Sequence, residues 1–336
     1  MREFIVPAPS RPVEPVGPPT FSVVIAAYQA ADTIGEAIES VLGQTVPPRE
    51  VIVCDDGSED DLAVTLAPYR DEITCLRQEN RGAASARNAA TRAATGEFVA
   101  ILDADDIFLP ERIEALGALA AFRPDLDILA TDAWYVQEGR RAGRFNGTSN
   151  PFPAQGQRTE ILQRCFLGGP AVRRRVLGEA GGWDESLLIA EDWDCWMRLI
   201  LGGARAGLVA EPLLEYRLGS SSLSDRRVES FRARVRVLEK NRNHPALRRD
   251  ERPILAAALS RHRRNLMAIE AEEATVSLAP EARQRWLAIA RESAIGKRAR
   301  FRAAALAVLP APIARAALNR ARRAGRSRAA GRRPPA

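Results

Sequence analysis

The feature that most constrains this fold is an alternation of short apolar runs with helix signals across the first 130 residues. Almost continuously apolar runs are expected of strands that are buried on both faces of a sheet. Between them lie helix signals such as the capping box Thr33-x-x-Glu36 and Pro110 at a first helical turn. The alternation predicts an α/β fold, with a mostly parallel sheet and helices on both faces. The predicted strands are residues 21–27, 51–54, 73–76 and 98–102, with 126–130 as a fifth candidate.

The chain of 336 residues is 46% hydrophobic, which suffices for a large core with appendages. A proline-rich run near the start predicts a disordered lead-in, and alanine, leucine, arginine and glutamate recur at helical spacing after the α/β region. We therefore expect four segments. They are a lead-in at 1–19, an α/β domain at 20–225, a helical extension at 226–293 and a partly amphipathic basic tail at 294–336.

Charge is distributed unevenly along the chain. Residues 294–336 contain 12 Lys and Arg and no Asp or Glu, whereas the remainder holds 37 basic and 43 acidic residues. The high isoelectric point therefore belongs to the tail and does not indicate a basic domain. Peripheral contact with an anionic membrane and a plain disordered tail are both open interpretations. Nucleic-acid binding ranks below them, because Phe301 is the tail's only aromatic residue.

The cysteine and histidine content excludes zinc sites of the clustered type. Four cysteines occur without a Cys-x-x-Cys pair, and there are only two histidines. Reduced, buried thiols in a reducing compartment are the expectation. No apolar run approaches the roughly 18 residues needed to span a bilayer, and no secretory signal is visible. We therefore expect a cytoplasmic protein, with peripheral contact at the inner face of the cell membrane as an open addition.

Polar clusters follow three of the predicted strands. The carboxyl ends of parallel strands meet at one edge of an open α/β sheet, where ligands bind. Up to five carboxylates are thereby expected around one site. The clusters are Ala27-Tyr28-Gln29, Asp55-Asp56-Gly57-Ser58 and Asp103-Ala104-Asp105-Asp106.

The last of these clusters predicts a divalent cation. Neighbouring carboxylates repel one another unless a cation lies between them, and hard ions such as Mg²⁺ or Mn²⁺ prefer oxygen ligands. Asp105 and Asp106 are the candidate metal ligands, with Asp103 beside them. Such an ion would neutralise charge on a departing diphosphate. The alternative interpretation is a solvated turn before Pro110.

The second cluster has two readings of equal weight. A carboxylate at Asp55 or Asp56 can accept hydrogen bonds from a nucleobase and from ribose hydroxyls, and Tyr28 could stack on the base. Alternatively the segment is simply a turn, since Asp-Gly is a common turn pair.

Arg87 lies in a glycine-containing loop that leads into a predicted helix. Helix N-termini favour anions, so Arg87 could pair with a phosphate, or it could lock Asp55 or Asp103 in place. A structural salt bridge is an equally open interpretation.

Glu191 and Asp192 are the candidates for a general base, which transfer to a hydroxyl requires. They open a predicted helix that also contains Trp193 and Trp196. The tryptophans could line a sugar site or belong to the core. The alternative role for the acids is ordinary stabilisation of a helix N-terminus.

In their order and spacing these segments resemble the family 2 inverting glycosyltransferases of the GT-A fold, a Rossmann-like nucleotide-sugar transferase fold. The resemblance covers residues 20–222. Alanine and glutamine stand at Ala26 and Gln29, where the family often has proline and asparagine, but no catalytic carboxylate is lost. The motifs are residues 21–28 and 40–45, Asp55-Asp56-Gly57-Ser58, Asn80-Arg81-Gly82, Ala86-Arg87-Asn88, Asp103-Ala104-Asp105-Asp106, Gly182-Trp183-Asp184-Glu185, Glu191-Asp192 and Tyr216-Arg217.

The resemblance implies metal-assisted transfer of a sugar, with inversion, from a nucleotide-sugar to a hydroxyl of a glycan or lipid-linked glycan. A UDP-sugar is the expected donor and Mn²⁺ or Mg²⁺ the expected cofactor. The resemblance implies that Ala27 and Tyr28 contact the nucleobase and that Asp55 or Asp56 contacts base or ribose. It implies ribose and metal–diphosphate contacts for Asp105 and Asp106, with Asp103 alongside. Asp192 would be the general base, with Glu191 as the alternate.

Two rival functions stay open. A nucleotidyltransferase of similar fold would usually carry a glycine-rich basic loop after its first strand, which Ala26-Ala27-Tyr28-Gln29-Ala30 is not. A non-catalytic nucleotide-sugar-binding protein is disfavoured by the retained Asp105, Asp106 and Asp192.

Overall fold

The computed structural model describes residues 2–9, 17–218, 227–292 and 295–330. Ten strands and twelve helices occur in this part of the chain, with a 3-10 turn at Ala67–Tyr69. The strands are β1 (Phe4–Ile5), β2 (Phe21–Ala27), β3 (Glu50–Asp55), β4 (Thr74–Arg77), β5 (Phe98–Asp103), β6 (Ile107–Phe108), β7 (Ile128–Gln137), β8 (Arg140–Arg144), β9 (Ala171–Arg173) and β10 (Ala206–Arg217). The helices are α1 (Ile34–Leu42), α2 (Leu62–Leu66), α3 (Ala83–Ala93), α4 (Arg112–Phe122), α5 (Gln157–Ile161), α6 (Arg174–Glu179), α7 (Glu191–Leu201), α8 (Arg227–Asn241), α9 (Arg252–Val276), α10 (Ala282–Arg291), α11 (Lys297–Val308) and α12 (Ala311–Ala330).

The strands form one mixed sheet in the order β1-β10-β7-β9-β5-β2-β3-β4, with β6 on β10 and β8 on β7. Strands β5, β2, β3 and β4 run parallel to one another, as the alternating pattern predicts. Strand β9 is antiparallel to both of its neighbours, β5 and β7. The predicted α/β class is confirmed, and the antiparallel β9 is an element that the sequence pattern did not indicate.

Both faces of the parallel strands are buried. Alternate residues of β2, including Val23 and Ile25, belong to a core that also contains buried residues of α1, α2 and α4. The residue between them, Val24, points to the other face, as the period of two requires, and is equally buried. Helix α3 contacts β2 and β3 and contributes buried alanines. The helices therefore protect the sheet from water and leave its carboxyl edge as the exposed end.

The start of the chain is more ordered than predicted. Strand β1 pairs antiparallel with β10, and Arg2 forms an ion pair with Glu211 at 2.6 Å. The backbone carbonyl of Pro7 accepts a hydrogen bond from Arg123 at 2.6 Å. The prediction of disorder throughout residues 1–19 is therefore wrong for residues 2–9, because apolar Phe4 and Ile5 add an edge strand to the sheet. Residues 10–16 lie outside the described residues.

Two compact units make up the chain. The first contains residues 1–225 and 237–256, and the C-terminal unit contains residues 226–236 and 257–336. The sequence pattern placed all of 226–293 in a helical extension. Residues 237–256 belong to the first unit because Asp194 accepts hydrogen bonds from Lys240 and Asn241, and Arg158 pairs with Glu251 at 2.6 Å.

The C-terminal unit has a small core of its own, supplied by α9, α10, α11 and α12. Its buried residues include Trp286, Ile289, Leu306 and Leu318. The predicted helical character of this region is confirmed in its described part. No helix in the described ranges is both long and apolar enough to cross a membrane.

Residues 208–211 and 214–217, on either side of Pro212, belong to the single strand β10, whose register shifts on both sides of this proline. The four cysteines are free, as expected, yet only Cys54 and Cys195 are buried, whereas Cys75 is exposed.

Gly57 in the turn after β3 allows a test of local packing. Its φ is +78°, and an added Cβ would approach the backbone nitrogen of Asn80 to 2.8 Å. Gly139 has a similar φ of +71° but open space around it. We expect Gly139→Ala to cost about 1–2 kcal/mol from backbone strain alone. Gly57→Ala should cost about 3 kcal/mol or more, because the contact with Asn80 adds to that strain.

Denaturant unfolding of both variants measures this difference. Equal destabilisation by the two substitutions would contradict the close approach of the Asn80 backbone to Gly57.

Candidate active site

The carboxyl ends of β2, β3 and β5 meet at one edge of the sheet. Ala27 lies opposite Asp55 on β3, and Ala26 lies opposite Asp103 on β5. Tyr28 follows directly and is 51% exposed, so its ring is available to a ligand. The three predicted clusters thus lie together, as the parallel topology requires.

Asp55 and Asp56 order the loops around this edge. The backbone N–H of Ser58 donates to Asp55 Oδ1 at 2.8 Å, and Arg77 donates to Asp55 Oδ2 at 2.5 Å. Asp56 is buried and accepts hydrogen bonds from the Gln78 side chain and from two backbone N–H groups of the 80–82 turn. The turn interpretation of this cluster therefore describes what these residues do in the protein, and donor contact stays a prediction. The sequence did not indicate a role for Arg77, because its local pattern does not show that it pairs with Asp55.

Three carboxylates follow β5 with different exposures. Asp105 is exposed, Asp103 is half-buried and Asp106 is buried, with Oδ1 accepting the backbone N–H of Arg217 at 2.9 Å. Burial, followed by the charges of Asp103 and Asp105, holds the pKa of Asp106 well above its usual range. Although Asp105 lies at the surface, partial shielding of its carboxyl from water, and then Asp103, raise its pKa. The site thus concentrates more negative charge than it neutralises.

Arg112 supplies part of the compensating charge from beneath. It is the first residue of α4, is fully buried, and donates to Thr131 Oγ1 and to the carbonyl of Gly169. Its guanidinium lies 4.5 Å from the centre of the Phe108 ring. Burial lowers the pKa of Arg112 to about 9, against the attraction of Asp106, so the side chain stays charged at neutral pH. The sequence did not indicate this residue, since its position in a helix carries no motif.

Arg87 joins two parts of the site. From α3 it donates to Asp103 Oδ1 and to Glu191 Oε1, both at 2.6 Å. Burial opposes the charge on Arg87, but the two carboxylates outweigh it and raise the pKa of the guanidinium. Of the alternatives predicted for Arg87, the structure therefore shows the one in which Arg87 holds Asp103 in place.

Asp192 lies next to this bridge but outside it. Among the described residues, the only hydrogen bond recorded for its carboxylate is from the backbone N–H of Trp193 to Oδ1, at 2.6 Å. Burial, and then the charge of Glu191, raise the pKa of Asp192 to about 6, while Arg87 lowers it in part. A carboxylate of this kind is a stronger base than an ordinary aspartate and is still ionised at neutral pH.

The backbone before these acids is strained. Ala190 has a φ of +61°, a left-handed conformation that non-glycine residues rarely adopt and that costs on the order of 1 kcal/mol. The turn starts α7 at Glu191, which places Glu191 and Asp192 in its first turn. Strain of this kind at a helix start is typical of functional sites.

Tyr216 also belongs to this site, although sequence reasoning assigned it no role. Burial raises the pKa of its hydroxyl, and so do the charges of Asp103, Asp106 and Asp192, which all lie near it. The adjacent Arg217 donates its backbone N–H to Asp106. The Tyr216-Arg217 motif in the family resemblance was the available signal, and in the structure it ends β10.

The tryptophans near the acids are core residues. Trp183, Trp193 and Trp196 are at most 4% exposed, and the rings of Trp183 and Trp196 meet edge to face at 6.0 Å. Trp193 donates its ring N–H to the carbonyl of Ile161. Their predicted alternative as a sugar-binding surface is therefore not supported.

The carboxylates fit a divalent cation only in part. In the described part of the chain, no three His, Cys, Asp or Glu side chains form a group that could hold a metal ion. Mg²⁺ and Mn²⁺, however, often take one or two protein carboxylates and complete their coordination with substrate phosphates. Exposed Asp105 suits such a shared site, whereas buried Asp106 already accepts a backbone hydrogen bond. The residues therefore fit a cation that arrives with a diphosphate.

Replacing Arg87 tests the bridge. Arg87→Met keeps the volume but leaves Asp103 and Glu191 without their partner, and we expect a loss of about 3–5 kcal/mol of stability. Arg81→Met is the matched control, because Arg81 also pairs with one glutamate but is 63% exposed. That variant should lose at most about 1 kcal/mol. Equal losses, measured by denaturant unfolding, would contradict the structural role of Arg87.

Comparison with known proteins agrees with this geometry. Residues 22–180 match the model of the family described as "Glycosyl transferase family 2". The chain is 32% identical over 210 residues to succinoglycan biosynthesis protein ExoU of Rhizobium meliloti (strain 1021), covering 57% of this chain and 60% of ExoU. It is 27% identical over 225 residues to the Escherichia coli UDP-Glc:alpha-D-GlcNAc-diphosphoundecaprenol beta-1,3-glucosyltransferase WfgD, covering 65% of this chain and 84% of WfgD. The chain thus spans 60% of the length of ExoU, which is less than two thirds.

A solved structure shows the same fold. The crystal structure of S. aureus TarS 1-349 in complex with UDP-GlcNAc superposes with a TM-score of 0.61 at 20% identity, covering 83% of this chain and 82% of that one. At this identity the likeness concerns the fold alone. Taken with the matched family model and the curated relatives, it shows that residues 22–180 form a family 2 glycosyltransferase domain of the GT-A fold.

Proposed function

We propose that this protein transfers one sugar from a nucleotide-sugar donor to a hydroxyl of a glycan or lipid-linked glycan, with inversion at the anomeric carbon. A UDP-sugar is the proposed donor. The observation that carries the proposal is that two neighbouring acids, Glu191 and Asp192, have different partners. Arg87 neutralises Glu191, whereas Asp192 keeps an available carboxylate with a pKa of about 6.

Asp192 is the proposed general base. Its carboxylate takes the proton of the acceptor hydroxyl as the acceptor oxygen forms a bond to the anomeric carbon. The bond from that carbon to the nucleoside diphosphate breaks in the same step, and the electron pair leaves with the diphosphate. Attack and departure occur on opposite sides of the carbon, so its configuration inverts. Glu191 is the weaker candidate because its charge is committed to Arg87.

The donor is proposed to bind along the carboxyl edge of the sheet. In this proposal Tyr28, which is exposed, stacks on the base next to Ala27, and Asp55 or Asp56 contacts base or ribose. Asp103, which pairs with Arg87, is assigned to the diphosphate side of the donor. Asp105, with Asp106 behind it, would hold Mg²⁺ or Mn²⁺, which when bound supplies positive charge to the leaving diphosphate.

The acceptor and location are also proposals. WfgD is named for an acceptor on diphosphoundecaprenol, which supports a lipid-linked glycan as one acceptor class for this chain. We accordingly propose a cytoplasmic protein with peripheral contact at the inner face of the membrane. A nucleotidyltransferase and a non-catalytic binding protein are the rival functions, and they differ in what the protein releases.

Turnover of a donor panel separates these functions. We expect slow, metal-dependent release of a nucleoside diphosphate from one sugar nucleotide, and faster release once an acceptor is supplied. Asp192→Asn should lower the rate by about 10²–10⁴-fold, the usual contribution of a general base. Glu191→Gln is the matched control and should lose less, although it loosens Arg87.

Other outcomes would redirect the proposal. Pyrophosphate formed from a nucleoside triphosphate and a sugar phosphate would establish the nucleotidyltransferase. Tight donor binding with no release under any acceptor would establish the non-catalytic protein.

The pH dependence of kcat/KM is a second prediction. A base must be deprotonated to act, so activity should fall as the pH is lowered through about 6, approaching tenfold per pH unit below it. The charged and titratable groups around Asp192 include Glu191, Arg87, Asp103, Tyr216 and the Cys195 thiol. An acid limb near pH 4 would show that Asp192 is an ordinary carboxylate and would contradict its proposed tuning.

A further inference from the structure

Helix α11 exposes an apolar stripe. Phe301, Ala304, Ala305 and Val308 follow one another at helical spacing and are all exposed, Phe301 at 79% and Val308 at 74%. Residues separated by three, four and seven positions lie on one face of a helix. Large apolar side chains on such a face, left in water, commonly mark a contact surface.

The stripe is not a misplaced core face. On the other side of α11, Ala303, Leu306 and Ala307 are buried in the core of the C-terminal unit. Helix α11 therefore already has its packing partners, and the stripe is a second apolar face. The apolar surface continues past the end of the helix through exposed Leu309 and Ile313.

Basic residues precede the stripe on α11 and recur in the sequence after it. Exposed Lys297 and Arg298 lie at the start of α11, and residues 294–336 contain 12 basic and no acidic residues. A protein surface that combines exposed apolar side chains with positive charge complements an anionic lipid bilayer, because each contributes separately to binding. A polyanion in water would use only the charge of this surface, and an uncharged apolar groove would use only its apolar side chains, so each fits it less well than an anionic bilayer.

A pocket beside α11 adds a specific feature. Its volume is about 390 Å³, and its lining includes apolar Trp286 and Ile289, two basic residues, Arg264 and Arg302, and one acidic residue, Glu272. No ion pair or hydrogen bond is recorded for either arginine among the described residues. Arg302 follows Phe301 directly, so a residue that lines the pocket is the neighbour in sequence of a residue of the stripe. The two guanidinium groups outnumber the one carboxylate, so the pocket has a net positive charge beside apolar side chains, which suits a phosphate that carries an apolar chain.

We propose that the C-terminal unit binds the surface of an anionic bilayer. The stripe of Phe301, Ala304, Ala305 and Val308 enters the interface, and Lys297 and Arg298 contact lipid phosphates. Arg264 and Arg302 bind one lipid headgroup phosphate in the pocket. The inference deepens the peripheral contact within the proposed function, since a lipid-linked acceptor lies at such a surface, but lipid binding is measurable without any sugar transfer.

Vesicle flotation of the full chain tests the stripe. We expect binding to vesicles of phosphatidylcholine with phosphatidylglycerol, little binding to phosphatidylcholine alone, and loss of binding at high salt. Phe301→Ser combined with Val308→Ser should weaken binding about tenfold or more. Val64→Ser is the matched control, because Val64 is 70% exposed on α2 and should change nothing. Unchanged flotation of the double variant would overturn the proposal.

Point substitutions are preferable to deletion of the tail. Residues 303–318 supply part of the core of the C-terminal unit, so removing 294–336 would also disrupt the packing of that core. Exposed Phe301 and Val308 carry no such risk, and circular dichroism of the double variant should match the wild type.

A second set of variants tests the pocket. Arg264→Gln with Arg302→Gln should weaken flotation several-fold more than Arg283→Gln with Arg291→Gln, which removes two exposed charges from α10 of the same unit. Inorganic phosphate at millimolar concentration should compete only weakly, because it lacks the apolar chain. Equal effects of the two pairs would overturn the headgroup pocket, and efficient competition by inorganic phosphate would identify a free-anion site instead. Nucleoside diphosphate release in solution should be unchanged in all these variants, so failure here is distinct from failure of the glycosyltransferase assignment.

Discussion

The bridge made by Arg87 is the interaction on which the active edge depends. It connects the end of β5, through Asp103, with the start of α7, through Glu191, from a position on α3. Three elements distant in sequence are thereby held at one point. Because the bridge uses Glu191, it distinguishes two acids that stand side by side in the sequence. Within the described residues, the Asp192 carboxylate accepts the backbone N–H of Trp193 but forms no ion pair.

Negative charge is the second organising feature of the site. Asp103, Asp105, Asp106 and Asp192 lie near one another, and the charges of all four raise the pKa of the Tyr216 hydroxyl. Arg87 and buried Arg112 offset only part of this charge. The excess costs stability in the free protein, but it prepares the site to receive a cation together with a diphosphate. Together with burial, this excess of negative charge raises the pKa values of Asp106 and Asp192 in the free protein.

The sequence predicted the elements whose signals are local. Buried parallel strands reveal themselves as apolar runs, and their carboxyl ends share an edge, so the convergence of Ala27, Asp55 and Asp103 followed from periodicity and topology. Elements defined by distant partners were missed. Strand β9 has only three residues and is recognisable only from the strands on either side of it, and β1 depends on the free edge of β10. The proline-rich composition of the lead-in concealed the two apolar residues that pair.

The same distinction applies within the site. Motifs identified the carboxylates, but they could not show that Arg87 chooses Asp103 and Glu191, that Arg77 pairs with Asp55, or that the tryptophans face the core. Those outcomes depend on side-chain directions set by packing. In the C-terminal unit the composition indicated a basic, partly amphipathic tail, and only the burial pattern shows which apolar residues are core and which form the exposed stripe.

The most direct test of the account is an NMR titration of the Asp192 carboxyl carbon in protein labelled at aspartate side chains, with Asp192→Asn identifying the signal. The account predicts a midpoint near pH 6. In Arg87→Met the midpoint should move upward, because the nearby positive charge that favours the ionised form is gone. A midpoint close to the ordinary aspartate value of 3.8, unchanged by loss of Arg87, would contradict the claim that this bridge sets Asp192 apart as the base.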